Sequence, residues 1–204
     1  LRFLLFFTMI LGMTLSACNR DNDDEDITIV SGENLTIKGE IATNTTWAVK
    51  NKYLLEGFVY VKSGVTLTIE PGTIIKGDKA TKATLIVLPG AKIIAEGTST
   101  KPIVFTSNQA KGSRKLGDWG GLIILGKGLV NKSPATIEGE NISTFGGTDA
   151  TDNSGILKYV RIEFGGIAFE TDKEINGLTL GGVGNGTTID YVQVSHNGDD
   201  GFEW

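Results

Sequence analysis

Few residues of this chain have the types and spacing that chemistry needs. Asp190, Asp199, Asp200 and Glu203 form the densest acidic group outside the N-terminal segment, with Asn197 beside them. Hard oxygen donors of this kind suit Ca²⁺, so these four residues are a candidate Ca²⁺ site, with a solvated acidic loop as the competing reading. No cofactor is required by any other pattern. Asp199 and Asp200 could act as paired acids on a glycoside only if their carboxyls stood about 5–9.5 Å apart across a sugar groove. Arg161 and Glu163 alternate on one apolar run, and Gln193 and Ser195 hold the matching places in a later run that aligns with it. Such an outward row can bind polysaccharide or can serve as a polar ladder between stacked strands. Trp119, between Asp118 and a Gly pair, and Trp204 are candidate platforms for a sugar ring, with a packed corner as the alternative for Trp119.

Other signals close routes. The single histidine, His196, has no second His or Cys to share a metal with, and the adjacent Ser195 faces the opposite way on a strand. One cysteine excludes a disulfide scaffold and a Cys-based zinc site. Gly121 to Gly128 approaches a phosphate-loop spacing, but Gly128 stands where the Mg²⁺ hydroxyl is needed, and the apolar middle reads as a strand. Gly181 to Gly186 has no following helix and so fails as a dinucleotide turn. A net charge of −5 argues against an electrostatic nucleic-acid partner. No nucleotide or nucleic acid is expected, and no catalytic residue can be named.

The elements that must position these residues are strands. Among 204 residues, 28 are glycine and only 4 proline, and no window holds a sustained helical period. Short runs rich in Ile, Val, Leu and Thr alternate with Gly, Asn and Pro-Gly corners. They recur. Thr66-Leu67-Thr68-Ile69-Glu70-Pro71-Gly72 aligns with Thr84-Leu85-Ile86-Val87-Leu88-Pro89-Gly90, and the same step again brings Ile103-Val104-Phe105. A longer step aligns Leu157 to Gly166 with Ile189 to Gly198. Recurrence with glycine corners predicts an all-β solenoid whose coils stack like on like; a β-sandwich is the runner-up. Leu67, Ile69, Leu85, Val87, Ile103, Phe105, Val160, Ile162, Val192 and Val194 should point inward, with Phe164, and Tyr159, Arg161 and Glu163 outward.

The N-terminal segment reads differently. Arg2 precedes an apolar run from Phe3 to Leu15, too short to span a bilayer but of signal-peptide length. Leu15-Ser16-Ala17-Cys18 resembles the bacterial lipobox, which implies cleavage before Cys18 and a lipid anchor on it. The acidic run Asp21 to Asp26 reads as a solvated tether and is similar to the export signal of surface lipoproteins. The expected organisation is a signal at 1–17, lipidated Cys18 and tether at 18–45, and a β-helix at 46–204. The partner is then the outer membrane, and the location is the cell surface.

The segments TLTIEPGTIIKG, LIVLPGAKIIAEGTSTKPIVFTS, DWGGLIILGKG and GLTLGGVGNGTTIDYVQVSHNGDDGFEW resemble the right-handed parallel β-helix lipoproteins of Bacteroidetes. The resemblance spans about residues 53–204. It implies a pectin-lyase-like fold and a chain that continues past Trp204, the coil with Ile189, Val192 and Val194 being otherwise uncovered. It implies no single activity. Three classes follow: a surface module that binds extracellular material such as glycan, a scaffold lipoprotein without a small ligand, and a polysaccharide lyase or hydrolase.

Overall fold

The computed structural model describes residues 32–137, 143–170 and 173–204. Cys18, the signal and most of the tether lie outside the described residues. No helix occurs among the described residues. The chain forms β1 (Asn34–Ile41), β2 (Thr45–Trp47), β3 (Lys52–Val61), β4 (Thr66–Ile69), β5 (Ile74–Gly77), β6 (Thr84–Val87), β7 (Lys92–Glu96), β8 (Ile103–Ser107) and β9 (Gly121–Leu125). After these come β10 (Ala135–Thr136), β11 (Thr144–Phe145), β12 (Gly155–Glu163), β13 (Ala168–Glu170), β14 (Lys173–Glu174), β15 (Leu178–Gly181), β16 (Thr188–Ser195) and β17 (Phe202–Glu203). Thirteen strands pair in parallel; β10–β11 and β13–β14 are small antiparallel hairpins.

The parallel pairs sort into three faces that the chain visits in turn. On the first face Tyr53 pairs with Ile75, Ile75 with Phe105, Phe105 with Ile162 and Ile162 with Val194. On the second, Val59, Leu85, Leu122, Leu178 and Phe202 stand in one row. On the third, Trp47, Ile69, Ala95, Leu157 and Ile189 do so. Strand alternation puts all three rows inside, where stacking removes them from water. From Trp47 to Leu178 every member of these rows is buried, a large side chain contributing about 1.5–3 kcal/mol when fully covered. This is a parallel β-helix, as the recurrence predicts. Eight of the eleven residues expected inward are buried, and Phe164, Val192 and Val194 pack partly buried against the same core.

The two recurrences differ in meaning. The longer step is one coil: Leu157 pairs with Ile189, Val160 with Val192 and Glu163 with Ser195. It extends to the corners, where Tyr159 and Tyr191 share a left-handed backbone (φ 49° and 50°) and stack with ring centres 4.5 Å apart. Phe164 and His196 repeat this at φ 62° and 54°, their rings 5.1 Å apart. The shorter step is not a coil. β4 lies on the third face, β6 on the second and β8 on the first, and β4 stacks on β7 instead. The alignment caught two strands with the same local demand, an apolar run entering a Pro-Gly corner, at different places in the coil. Parallel pairing also begins at Asn34, ahead of the expected domain start at 46.

The second face has a further layer. Tyr60, Ile86, Ile123 and Thr179 form its outward row. Ile86 and Ile123 are fully buried because Ile137 and Phe145, from the connection after β9, and Phe169 and Ile175, from the connection after β12, pack over them. A strand covered on both sides reads as an unbroken apolar run, which is why Leu122-Ile123-Ile124-Leu125 shows no alternation.

Candidate functional site

The outward side of the first face is open. Its rows are Lys52, Ile74, Val104, Arg161 and Gln193, and beside them Leu54, Lys76, Thr106, Glu163 and Ser195. Successive members of a row stand about 4.8 Å apart, the parallel strand spacing. The loop after β8 leans Arg114 over the same face, and a cleft of about 520 Å³ opens between Lys52, Ile74, Lys76, Arg114, Arg161 and Glu163.

Hydrogen bonds fix its centre. The Arg161 guanidinium pairs with Glu163 Oε1. Thr106 Oγ1 donates to Glu163 Oε2 at 3.1 Å and accepts from Arg114 Nη1 at 3.3 Å. Arg114 also donates through Nε to the Gln109 carbonyl at 3.2 Å and lies 5.9 Å from the centre of the Phe164 ring. Glu163 is thus held on both oxygens, while Lys52 and Lys76 make no ion pair among the described residues. Four cations surround one carboxylate on a chain that is acidic as a whole. The cleft therefore attracts anions locally, and its half-exposed Ile74 adds an apolar contact.

The floor beneath is rigid. Trp119 is fully buried, stacks on Phe105 with ring centres 6.4 Å apart and donates from Nε1 to the Glu163 carbonyl at 2.8 Å. A Cβ on Gly77 would lie 2.6 Å from Trp119 Cβ, so only glycine lets the indole in. The preceding Asp118, also buried, accepts from Ser107 Oγ at 2.7 Å, the Lys115 N–H at 2.9 Å and Lys79 Nζ at 2.9 Å. Burial pushes the Asp118 carboxyl up, but the Lys115 N–H, the Lys79 ammonium and the Ser107 hydroxyl together outweigh it and hold it below the ordinary 3.8.

The sequence-derived candidates fall into three groups. Arg161, Glu163 and Gln193 come together in this cleft or at its edge, as the register between β12 and β16 implies. Trp119 does not offer a sugar platform: it is a core side chain, and its burial beneath Gly77 is the reason. Trp204 is almost fully exposed. The four acidic residues are not gathered. Asp190 lies outward on the third face, Asp199 and Asp200 in the turn after β16, and Glu203 on β17, where it accepts from Thr179 Oγ1 at 3.1 Å. No group of three or more His, Cys, Asp or Glu side chains among the described residues is placed to hold a metal ion. His196 stacks on the Phe164 ring at a corner. The Gly121–Leu125 stretch is a buried strand, not a phosphate loop.

Lys52, Lys76, Thr106 and Arg114 escaped the sequence reading. The first-face register advances by uneven steps from Tyr53 through Ile75, Phe105 and Ile162 to Val194, so no fixed period links them. Alternation alone could have found Lys76, set between inward Ile75 and Gly77.

A family model described as the pectate-lyase-like β-helix domain matches residues 39–204. No curated protein and no solved structure matches the chain. The match spans most of the sequence and every face of the coil just described, and the chain therefore belongs to the pectate-lyase-like β-helix domain family.

Proposed function

We propose that this protein is a lipid-anchored surface lipoprotein of the Bacteroidetes type whose β-helix binds an acidic extracellular polysaccharide along the open first face. The carrying observation is the cleft in which Lys52, Lys76, Arg114 and Arg161 surround the single carboxylate of Glu163. Arginine forks and lysine ammoniums recognise carboxylate or sulfate groups along a chain, and a row of cations at strand spacing suits a repeating ligand. The family's β-helix domain supports a carbohydrate role. Leu15-Ser16-Ala17-Cys18 and the following acidic run support anchoring at Cys18. Binding is favoured over hydrolysis because glycoside cleavage ordinarily takes two carboxyls, and the cleft holds one, already engaged by Arg161 and Thr106.

Affinity electrophoresis through gels carrying a uronate polysaccharide or neutral dextran tests the reading. Retardation by the uronate gel alone, weakened by salt and lost in a Lys76→Ala/Arg161→Ala double variant, is expected. Equal mobility in both gels would leave the scaffold reading. Unsaturated or reducing ends released from the polymer would establish an enzyme instead.

A further inference from the structure

A second cavity lies on a different side of the coil, where the second face turns into the third. Three successive coils supply its floor: Ser63 after β3, Leu88-Pro89 after β6, and Lys127 after β9, with Gly90 beside them. Tyr60 and Phe145 add aromatic walls, Phe145 arriving on the hairpin that roofs the second face. The cavity measures about 650 Å³, the size of a small-molecule site.

Two features point to a ligand with an anionic end. The first is the charge balance. Lys62 is neutralised by Glu40 at 2.8 Å, whereas the Lys127 ammonium has no ion pair or hydrogen bond among the described residues. Its backbone is nonetheless fixed, because its N–H donates to Asp152 Oδ1 at 3.0 Å and its carbonyl accepts from the Asp149 N–H at 3.0 Å. The second feature is the notch at Gly90. A Cβ there would stand 2.7 Å from Ser63 Oγ and 2.9 Å from Lys127 Nζ, so a hydroxyl and an ammonium converge over a position without a side chain. Gly90 has φ +84°, which also reserves the position for glycine. An ammonium and a hydroxyl together make the charge-assisted pair that a carboxylate accepts. The walls of Tyr60, Phe145, Leu88 and Pro89 suit the apolar C–H face of a pyranose ring.

We propose that this cavity is a second ligand site, for a single carboxylated sugar unit, with Lys127 and Ser63 on the carboxylate and Tyr60 and Phe145 against the ring. It is independent of the first-face cleft.

Titration calorimetry on the full chain tests it, with sodium glucuronate as the probe and glucose and sodium acetate as controls. Saturable binding of glucuronate, tighter than of either control, is expected. Lys127→Met should weaken it about tenfold, the loss of one charge-assisted bond, and Ser63→Ala by less. In Lys76→Ala/Arg161→Ala the Lys127-dependent binding should persist. Lys127 and Ser63 are exposed, so these variants keep the fold, which a thermal melt checks. Absence of saturable heat would overturn the proposal. So would equal affinity for acetate, unchanged affinity in Lys127→Met, or loss of binding in the first-face double variant alone. Failure of the polysaccharide gels with glucuronate binding intact would instead count only against the first-face reading.

Discussion

The first and second faces are built from the same coils, yet their outer sides have opposite fates. On the first face the outward rows run Lys52, Ile74, Val104, Arg161, Gln193 and Leu54, Lys76, Thr106, Glu163, Ser195. On the second the corresponding row is Tyr60, Ile86, Ile123, Thr179. The inward rows hardly differ in character. What differs is the residue type at every other position, and it decides whether a connection folds back. The hairpins β10–β11 and β13–β14, with the residues flanking them, cover the apolar row with Ile137, Phe145, Phe169 and Ile175 and turn it into a second core. The charged rows stay wet and form a cleft. One geometry thus yields a structural wall and a binding surface, and a functional claim must rest on the outward residues, since the fold is common to both.

The comparison is sharpest at equivalent outward positions. Ile123 is fully buried under the roof, while Val104 is half-buried on the open face. Ile123→Ala should destabilise by about 2–5 kcal/mol, because it removes packed methylenes and leaves a cavity between two layers. Val104→Ala should cost less than about 1 kcal/mol, since it loses little burial. Urea unfolding of both variants measures the difference. Equal losses would mean that the roof does not pack on the second face as described.

How far the sequence revealed these faces follows from the same contrast. The inward rows were legible, since Leu67, Ile69, Val160 and Ile162 alternate with polar neighbours, and one coil announced itself where Leu157 to Gly166 repeats as Ile189 to Gly198. The other coils were not legible as a period, because the long connections after β8 and β9 break the count between Phe105 and Ile162. The roof was hidden for a related reason: Leu122 to Leu125 signals burial on both sides without naming what covers it. At the site, Arg161, Glu163 and Gln193 could be read from one alignment, whereas Lys52, Lys76 and Arg114 meet them only through register and a loop. Trp119 misled because an indole between Asp and Gly looks the same in sequence whether it faces water or the core.

The core beneath the first-face cleft can be stressed without touching its charges. Gly77→Ala would place a methyl 2.6 Å from Trp119 Cβ, and the indole cannot yield because it is stacked on Phe105 and bonded to the Glu163 carbonyl. Overpacking of this kind costs about 1–3 kcal/mol. The strand carrying Glu163 should shift with the indole, so polysaccharide retardation should fall along with the melting temperature. Lys111→Ala, an exposed change on the loop between β8 and Trp119, should alter neither. A stable Gly77→Ala protein with full retardation would mean that the cleft does not depend on the tryptophan floor.

The smallest effect expected lies at the corner that joins the two faces. Asp118 receives Ser107 from β8 on the first face, the Lys115 N–H from its own loop and the Lys79 ammonium from the corner of the preceding coil. Its carboxyl is buried whereas the lysine side chain is 47% exposed, so water and salt screen the pair. Lys79→Met should therefore cost only about 0.2–1 kcal/mol near neutral pH, and less in high salt. The pH dependence has a definite sign. The folded carboxyl titrates below its ordinary value of 3.8, so in the acid range the unfolded chain binds the extra proton and stability falls with falling pH. The stabilisation is complete above the ordinary carboxylate range and is lost as pH drops through the lowered value. Once Asp118 is protonated, Lys79 has no charge to meet, and the wild-type and Lys79→Met proteins should converge. Urea unfolding of both at about pH 7 and about pH 2 reads this directly. A gap between the two that persists undiminished in acid would show that Lys79 acts through its packing and that the charge on Asp118 is satisfied by Ser107 and Lys115 alone.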